Sequence, residues 1–285
     1  MRTWASAVVL GLLVLASQTL GAPSAGATSI PVGSVHAVSA SSPVNTLASK
    51  EPFRAKCPSG QRVLGGGALT VGGVHAVITE LQPIHTAAGD SFEANAAADQ
   101  FGIPVAWNFQ VFAFCATVPD ALGLRITSHA NAPTSNPNDQ AAVGCTTGQV
   151  IGAGGKIDNG NGQVDLGLTT NTSGSFPTSV AAFAKEDADG FAGNYTVTGY
   201  SVCAKANVFG DFQQFKTGAV QQASVPCPPG TGLIGLAGST SVPGAHLQQI
   251  APHTANAPTL GDFGVQTSVP RSEPLSMETI VFCAN

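Results

Sequence analysis

Six cysteines in three evenly spaced pairs constrain the fold more than any other feature of the chain. Each pair begins with a Cys-x-x-Gly motif, continues through a glycine cluster, and ends at a second cysteine almost sixty residues later. The opening motifs are Cys57-Pro58-Ser59-Gly60, Cys145-Thr146-Thr147-Gly148 and Cys227-Pro228-Pro229-Gly230; the glycine clusters begin at Gly65, Gly152 and Gly235; the closing residues are Cys115, Cys203 and Cys283. The chain is therefore predicted to consist of three copies of one unit.

The repeat also predicts the disulfide bonds. Six cysteines allow fifteen pairings, but equivalent units should be closed by equivalent bonds. We therefore expect the bonds Cys57–Cys115, Cys145–Cys203 and Cys227–Cys283. A zinc site is the alternative use of these cysteines, and the lack of a C-x-x-C pair or a regular Cys/His cluster argues against it.

The first 27 residues are typical of a secretory signal peptide. Arg2 supplies a weakly positive end, residues 5–15 form a short apolar run, and Ala25-Gly26-Ala27 is a small-residue cleavage site. We expect cleavage after Ala27 and a secreted, extracellular protein of residues 28–285, a setting that suits disulfide formation. An uncleaved anchor is the alternative, and no later segment is long and apolar enough to span a bilayer.

Composition excludes two further classes of protein. The chain has 11 basic and 16 acidic residues and no basic run, which argues against nucleic acid as a partner. Charged residues make up only 9% of the sequence while 43% is hydrophobic, the opposite of a disordered chain. The 34 glycines and 19 prolines fit many turns between short strands.

Alternating apolar residues and frequent glycine and proline predict an all-β fold, because no segment shows a sustained helical period. We expect four to five antiparallel strands in each unit, with the units at about 32–116, 121–204 and 210–285 forming one compact domain. The segment 105–115 is apolar on both faces and should be buried on both sides. Glycines inside the strand after each opening cysteine indicate that the units meet or bend there.

Two segments carry a resemblance to known proteins. AKCPSGQRVLGGGA (55–68) and WNFQVFAFCA (107–116) are similar to a family of secreted actinobacterial proteins built from this repeat, over residues 32–285. The three Cys-x-x-Gly units also resemble the vitelline membrane outer layer protein family, which implies a β-prism-like arrangement. In unit two Thr146 and Thr147 follow the opening cysteine, whereas in the other units the residue after the opening cysteine is proline. Unit two therefore departs from both patterns. Neither resemblance implies a catalytic residue.

Four histidines are the candidate binding residues. His75 and His85 lie in unit one, and His246 and His253 lie at roughly corresponding places in unit three. Pro-Ile-His-Thr at 83–86 is similar to Pro-His-Thr at 252–254, and one interpretation is a metal or sugar site in two of the three units. The alternative is that these are divergent copies of a loop with exposed imidazoles.

Acidic residues offer weaker candidates. Asp90, Glu93 and Asp99 cluster in unit one, as do Glu186, Asp187 and Asp189 in unit two, and glycoside hydrolysis generally uses two facing acids. Both clusters occupy turn-like positions, where acids are usually solvated. The segment 158–165 has the composition of a calcium loop, but an Asn-Gly hairpin turn explains it better. The sequence therefore assigns no catalytic residue, cofactor or metal ion.

A rigid, disulfide-closed β scaffold without an evident active site favours a binding or structural role. We expect a secreted, non-enzymatic module whose partner is a glycan or another cell-surface ligand. A secreted hydrolase that acts on a glycan is the alternative.

Overall fold

The computed structural model describes residue 30 and residues 33–173, 176–205, 212–217, 222–240, 244–253, 260–267 and 277–284. The predicted signal peptide lies outside these residues. Over the described residues the chain is almost entirely β-strand, with one short 3-10 turn at Asp120–Leu122 and no α-helix. The prediction of an all-β fold is confirmed. None of the described helical segments is long and apolar enough to cross a membrane.

Each unit contributes six strands. Unit one contains β1 (His36–Ser41), β2 (Phe53–Lys56), β3 (Arg62–Val71), β4 (Ala76–Thr86), β5 (Gly89–Ala98) and β6 (Asn108–Ala116). Unit two contains β7 (Arg125–Ala130), β8 (Asn138–Gly144), β9 (Gln149–Asp158), β10 (Val164–Ser173), β11 (Phe176–Glu186) and β12 (Thr196–Ala204). Unit three contains β13 (Phe212–Thr217), β14 (Gln222–Pro226), β15 (Gly232–Thr240), β16 (Ala245–Pro252), β17 (Leu260–Thr267) and β18 (Met277–Ala284).

The six strands exceed the expected four to five because of β2, β8 and β14. These strands precede the opening cysteine and lie at an edge of the sheet. They are short and carry charged or polar residues, as in Phe53-Arg54-Ala55-Lys56, so their apolar alternation is weak. Edge strands commonly carry such residues because one side faces solvent.

The same strand pairing occurs in every unit. Each unit forms two antiparallel three-stranded sheets, with its first, sixth and third strands in one and its second, fifth and fourth strands in the other. Thus β6 lies between β1 and β3, β12 between β7 and β9, and β18 between β13 and β15. This pairing supports the threefold repeat and is compatible with a prism-like arrangement of sheets.

The predicted disulfides each close one unit. The structure contains the bonds Cys57–Cys115, Cys145–Cys203 and Cys227–Cys283, with sequence separations of 58, 58 and 56 residues. Each bond joins the residue directly after the second strand to the end of the sixth strand. Because the second and sixth strands of a unit belong to different sheets, each disulfide ties the two three-stranded sheets of its unit together.

The glycine clusters lie where the third strands of the units approach one another. A Cβ atom on Gly65 would be 2.7 Å from the Ile234 carbonyl oxygen, and one on Gly152 would be 2.0 Å from the Leu64 carbonyl oxygen. A Cβ on Gly235 would likewise be 2.9 Å from the oxygen of Ile151. The three backbones therefore meet at a spacing that only glycine allows, and each strand is bulged beside this contact.

One buried core runs through all three units. As predicted, the closing strand of unit one is covered on both faces: Phe109 and Val111 are buried, as are Phe112 and Phe114. The expected hairpin at 158–165 is wrong, because β9 pairs with β12 whereas β10 pairs with β11. That turn, with positive φ at Asn159 and Asn161, instead carries the chain from one sheet to the next.

Candidate binding site

Neighbouring units join at seams between a fourth strand and a third strand. At the first seam β4 pairs with β9, with Leu81 opposite Gly155. At the second, β16 pairs with β3, with Ile250 opposite Ala68. Each seam joins two three-stranded sheets into a six-stranded sheet.

The third seam, between β10 and β15, is different. No strand pairing joins these two strands over their described residues, and their sheets remain three-stranded. Gly167 of β10 nevertheless faces Ser239 of β15, since a Cβ on this glycine would lie 3.0 Å from the Ser239 Cβ. The strands are thus neighbours that do not close into one sheet.

One residue difference, at Ala237, explains why the third seam stays open. The first two seams place a glycine against the facing backbone: a Cβ on Gly154 would be 2.4 Å from the Leu81 oxygen, and one on Gly67 would be 1.8 Å from the Ile250 oxygen. The register of β15 puts Ala237 at this position, and its methyl group is buried. Because a methyl group cannot occupy that contact distance, Ala237 holds β15 away from β10.

The fourth strand of unit two also differs from its counterparts. The pairing of β4 is bulged at Thr79 and that of β16 at Gln248, immediately before the seam contact. The corresponding part of β10 pairs with β11 without interruption, and its only bulge comes later, beyond Asn171. A bulge shifts by one residue which side chains face each side of a strand. Because β10 lacks the early bulge, its residues at the seam face the opposite sides from their counterparts in β4 and β16.

A cavity of about 450 Å³ lies along the open seam. Its apolar lining is formed by Leu166, Gly167, Phe183, Ala184, Ala245 and Met277. Its polar lining is formed by Asn138, Asp139, Asp165, Thr169, Lys185, Ser239, Thr240 and Glu278. The Thr169 hydroxyl donates a hydrogen bond to Glu278 at 2.8 Å and so links the two sides of the seam.

The ring of Phe183 is the aromatic element of this cavity. Phe183 is half-buried and lies opposite Gly167 across the β10–β11 pair. Gly167 has no side chain to cover the ring, and on the other side of β11 Phe183 lies opposite Gln140 of β8. The cavity therefore combines an accessible aromatic side chain with donors and acceptors on both of its sides.

A buried histidine lies beside one wall of the cavity. His246 is 0% exposed and hydrogen-bonds through Nδ1 to Asp165, whose side chain lines the cavity. Its Nε2 is 3.7 Å from Oδ2 of Asp99. Asp99, Asp165 and His246 belong to units one, two and three, so their contacts connect the three units at one end.

The charges around His246 alter the proton affinity of the cluster. Burial lowers the pKa of His246, but the hydrogen bond and charge of Asp165 and the charge of Asp99 outweigh it and raise the pKa. Burial also raises the pKa of Asp165, against the effect of His246. Asp187 lies close enough to contribute, and burial together with its neighbour Asp189 raises its pKa to about 7.

The structure brings two of the four candidate histidines together. Nδ1 of His75 lies 2.9 Å from Oδ2 of Asp99, the same oxygen that faces His246. His85 and His253 lie apart from this cluster, since the ten-residue step from His75 to His85 along β4 spans about 30 Å. Both are half-exposed and pair with other carboxylates, His85 with Asp90 and His253 with Asp262.

The correspondence between His85 and His253 is displaced by one residue. Pro83 and Pro252 occupy equivalent register positions, which places His253 level with Ile84. The described residues contain no group of three or more His, Cys, Asp or Glu side chains that could hold a metal ion. The similar sequences around His85 and His253 therefore do not form equivalent sites in units one and three.

The candidate acids are engaged with other side chains. Asp90 accepts a hydrogen bond from Arg62 at 2.9 Å, and Glu93 pairs with Arg54. Asp189 accepts a hydrogen bond from Gln100 at 2.9 Å. The structure thus disperses the acids among local ion pairs and does not assemble them across one cleft.

Two buried acidic residues of the site region, Glu80 and Asp165, were not predicted from the sequence. Glu80 is 2% exposed on its side chain and lies at the first seam, where burial raises its pKa to about 7 with Lys156 opposing and Glu93 contributing. It lines a second cavity of about 310 Å³. A glutamate inside the apolar run AVITELQPI and an aspartate between Val164 and Leu166 are the sequence signs that could have identified these residues.

Comparison with protein-family profiles and with curated proteins finds no match to this chain. The fold and the cavity define an all-β protein with three disulfide-closed units and one open seam.

Proposed function

We propose that this protein is a secreted, non-enzymatic binding module that holds a glycan in the cavity of the open seam. The observation that carries the proposal is the cavity itself, which combines the Phe183 ring with Asn, Asp, Thr and Ser side chains. A volume of about 450 Å³ is in the range of small-ligand sites. Three disulfides support an extracellular location, because such bonds persist in oxidising compartments.

A neutral, polyhydroxylated ligand suits this lining better than a phosphate-bearing one. Sugar hydroxyls both donate and accept hydrogen bonds, and the cavity offers hydroxyls, an amide and carboxylates for both roles. The apolar face of a sugar ring can pack on Phe183. Lys185 is the single basic residue of the lining, and the carboxylates of Asp139, Asp165 and Glu278 disfavour an anion.

The test is a glycan array probed with the secreted, oxidised protein, followed by titration calorimetry on the glycans that bind. Replacement of Phe183 by alanine should weaken binding by about tenfold or more, because it removes the stacking surface. Phe101→Ala is the matched control, since Phe101 is an exposed phenylalanine of unit one outside the cavity. The proposal fails if no glycan binds, or if Phe183→Ala binds as tightly as the unchanged protein.

A glycan hydrolase is the second candidate, and Glu80 is the observation that favours it. A carboxyl with a pKa of about 7 in a cavity is suited to general acid catalysis. However, Glu93, the acidic neighbour that contributes to this shift, is paired with Arg54, whereas glycosidases use a second carboxyl as nucleophile or base. Turnover of a polysaccharide panel that is lost in Glu80→Gln would establish the hydrolase instead of the binding module.

A further inference from the structure

Unit one carries a patch of exposed apolar side chains at one end. Among the described residues, all of the large hydrophobic side chains that are strongly exposed belong to this unit. They are Val44, Leu47, Val71, Val74, Phe101 and Val105, with exposures from 45% to 67%. We call these six residues the apolar end.

The three segments that carry the apolar end are in direct contact. Asn45 and Trp107 exchange backbone hydrogen bonds, and the Trp107 indole donates to the Leu47 carbonyl at 3.0 Å. These contacts join segment 42–49 to segment 100–107. The ring of His75 lies 5.5 Å from that of Phe101, which joins segment 71–75 to the same surface. The six side chains therefore form one surface and not scattered exposures.

The apolar end is also free of charge. Segments 42–49, 71–74 and 100–106 contain no Asp, Glu, Lys or Arg. The corresponding segments of unit two, 131–137, 159–163 and 187–195, contain polar and small residues, two aspartates, the partly buried Phe191 and the buried Tyr195. Because the two units share one fold, the scaffold does not require apolar residues here. The corresponding segments of unit three lie outside the described residues.

The size of the surface distinguishes between two kinds of occupant. The six side chains expose on the order of 500 Å² of apolar surface, which is near the upper end of the largest patches on soluble monomers, and such patches are often functional. A stable dimer buries about 800 Å² on each partner with a polar rim. An uncharged apolar surface of this size instead matches the shallow insertion of a few side chains into a bilayer.

We propose that the apolar end docks on a lipid bilayer with zwitterionic headgroups. The attraction is the burial of Leu47, Phe101 and their neighbours at the boundary of the acyl chains, and it scales with the apolar area removed from water. Charged lipids are not required, because the surface has no basic residue to attract them. Docking would hold the protein at a cell surface independently of the seam cavity.

The test is co-sedimentation of the full secreted protein with phosphatidylcholine vesicles. The unchanged protein should sediment with the vesicles, and the double variant Leu47→Ser/Phe101→Ser should partition at least about tenfold more weakly. Both side chains are more than half exposed, so the variant should keep the melting temperature of the unchanged protein. The matched control is Ala188→Ser, an exposed residue in the equivalent segment of unit two, which should sediment normally.

Three results would overturn the proposal. The first is no sedimentation of the unchanged protein with phosphatidylcholine. The second is sedimentation only with phosphatidylglycerol, abolished by added salt, which would indicate electrostatic attraction elsewhere on the protein. The third is a dimer in analytical ultracentrifugation that the double variant abolishes, which would identify a second copy as the occupant.

Discussion

At the scale of single residues, the buried groups His246, Asp165, Asp187 and Glu80 are the least expected part of the protein. His246 occupies the position of Val77 in unit one, and Asp165 occupies the same position in unit two. One register position is therefore apolar in one unit, acidic in another and basic in the third. The ion pair across the units replaces the hydrophobic contact that a symmetric repeat would make.

These groups give a definite pH dependence of stability. Burial raises the pKa of Glu80 and of Asp187 to about 7, and the neighbouring carboxylates raise the pKa of His246. Folding therefore takes up protons at these groups. Their contribution to the free energy of unfolding is complete below the pKa values that they have in the unfolded chain, and it is lost as the pH rises through their pKa values in the folded protein. We expect the free energy of unfolding to fall on the order of 2 kcal/mol between about pH 5 and pH 8.

Urea unfolding at several pH values measures this dependence directly. Glu80→Gln is the informative variant, because glutamine resembles the protonated acid and should flatten part of the curve. A free energy of unfolding that rises over the same range would contradict the raised pKa values of these groups.

At the scale of elements, the seams show how single methyl groups control strand association. Gly154 and Gly67 allow β4–β9 and β16–β3 to pair, whereas Ala237 keeps β15 apart from β10. The repeated glycines were predicted to mark a contact between units, and they do. Which seam would remain open could not be predicted, because it depends on the distance between strands that are far apart in sequence.

A methyl group introduced at a closed seam should be costly. We predict that Gly154→Ala lowers the free energy of unfolding by about 2–3 kcal/mol, because its Cβ would lie 2.4 Å from the Leu81 carbonyl oxygen. Gly144→Ala is the matched control in β8, where the nearest atom is the Thr178 oxygen at 3.2 Å. Equal losses for the two variants in urea unfolding would show that the seam contact is not the cause.

The sequence predicted the features that depend on a repeated spacing or on the pattern of a single segment. The cysteine spacing predicted all three disulfides, and the apolar faces of 105–115 predicted a strand buried on both sides. The short edge strands were missed because charged residues such as Arg54 and Lys56 hide their alternation. The cavity was missed because its walls, Phe183 and Ser239, come from different units and no local pattern links them.

At the scale of the whole molecule, three similar units share one core but are not equivalent. Two seams are closed by backbone pairing and one is open, and the cavity lies at the open one. The apolar end belongs to unit one alone among the described residues. Divergence of the copies has thus placed different surfaces on a common scaffold, in which each disulfide ties the two sheets of a unit together.

Amide hydrogen exchange, followed by NMR, tests this broken symmetry most directly. We predict strong protection of the seam-facing amides around Leu81 and Gly155 and around Ile250 and Ala68, because these strands are paired. The equivalent amides of residues 166–168 and 238–239 should exchange faster, because no backbone pairing joins β10 and β15 over their described residues. Equal protection at all three seams would show that β10 and β15 are paired and would contradict the open seam on which the proposed binding site depends.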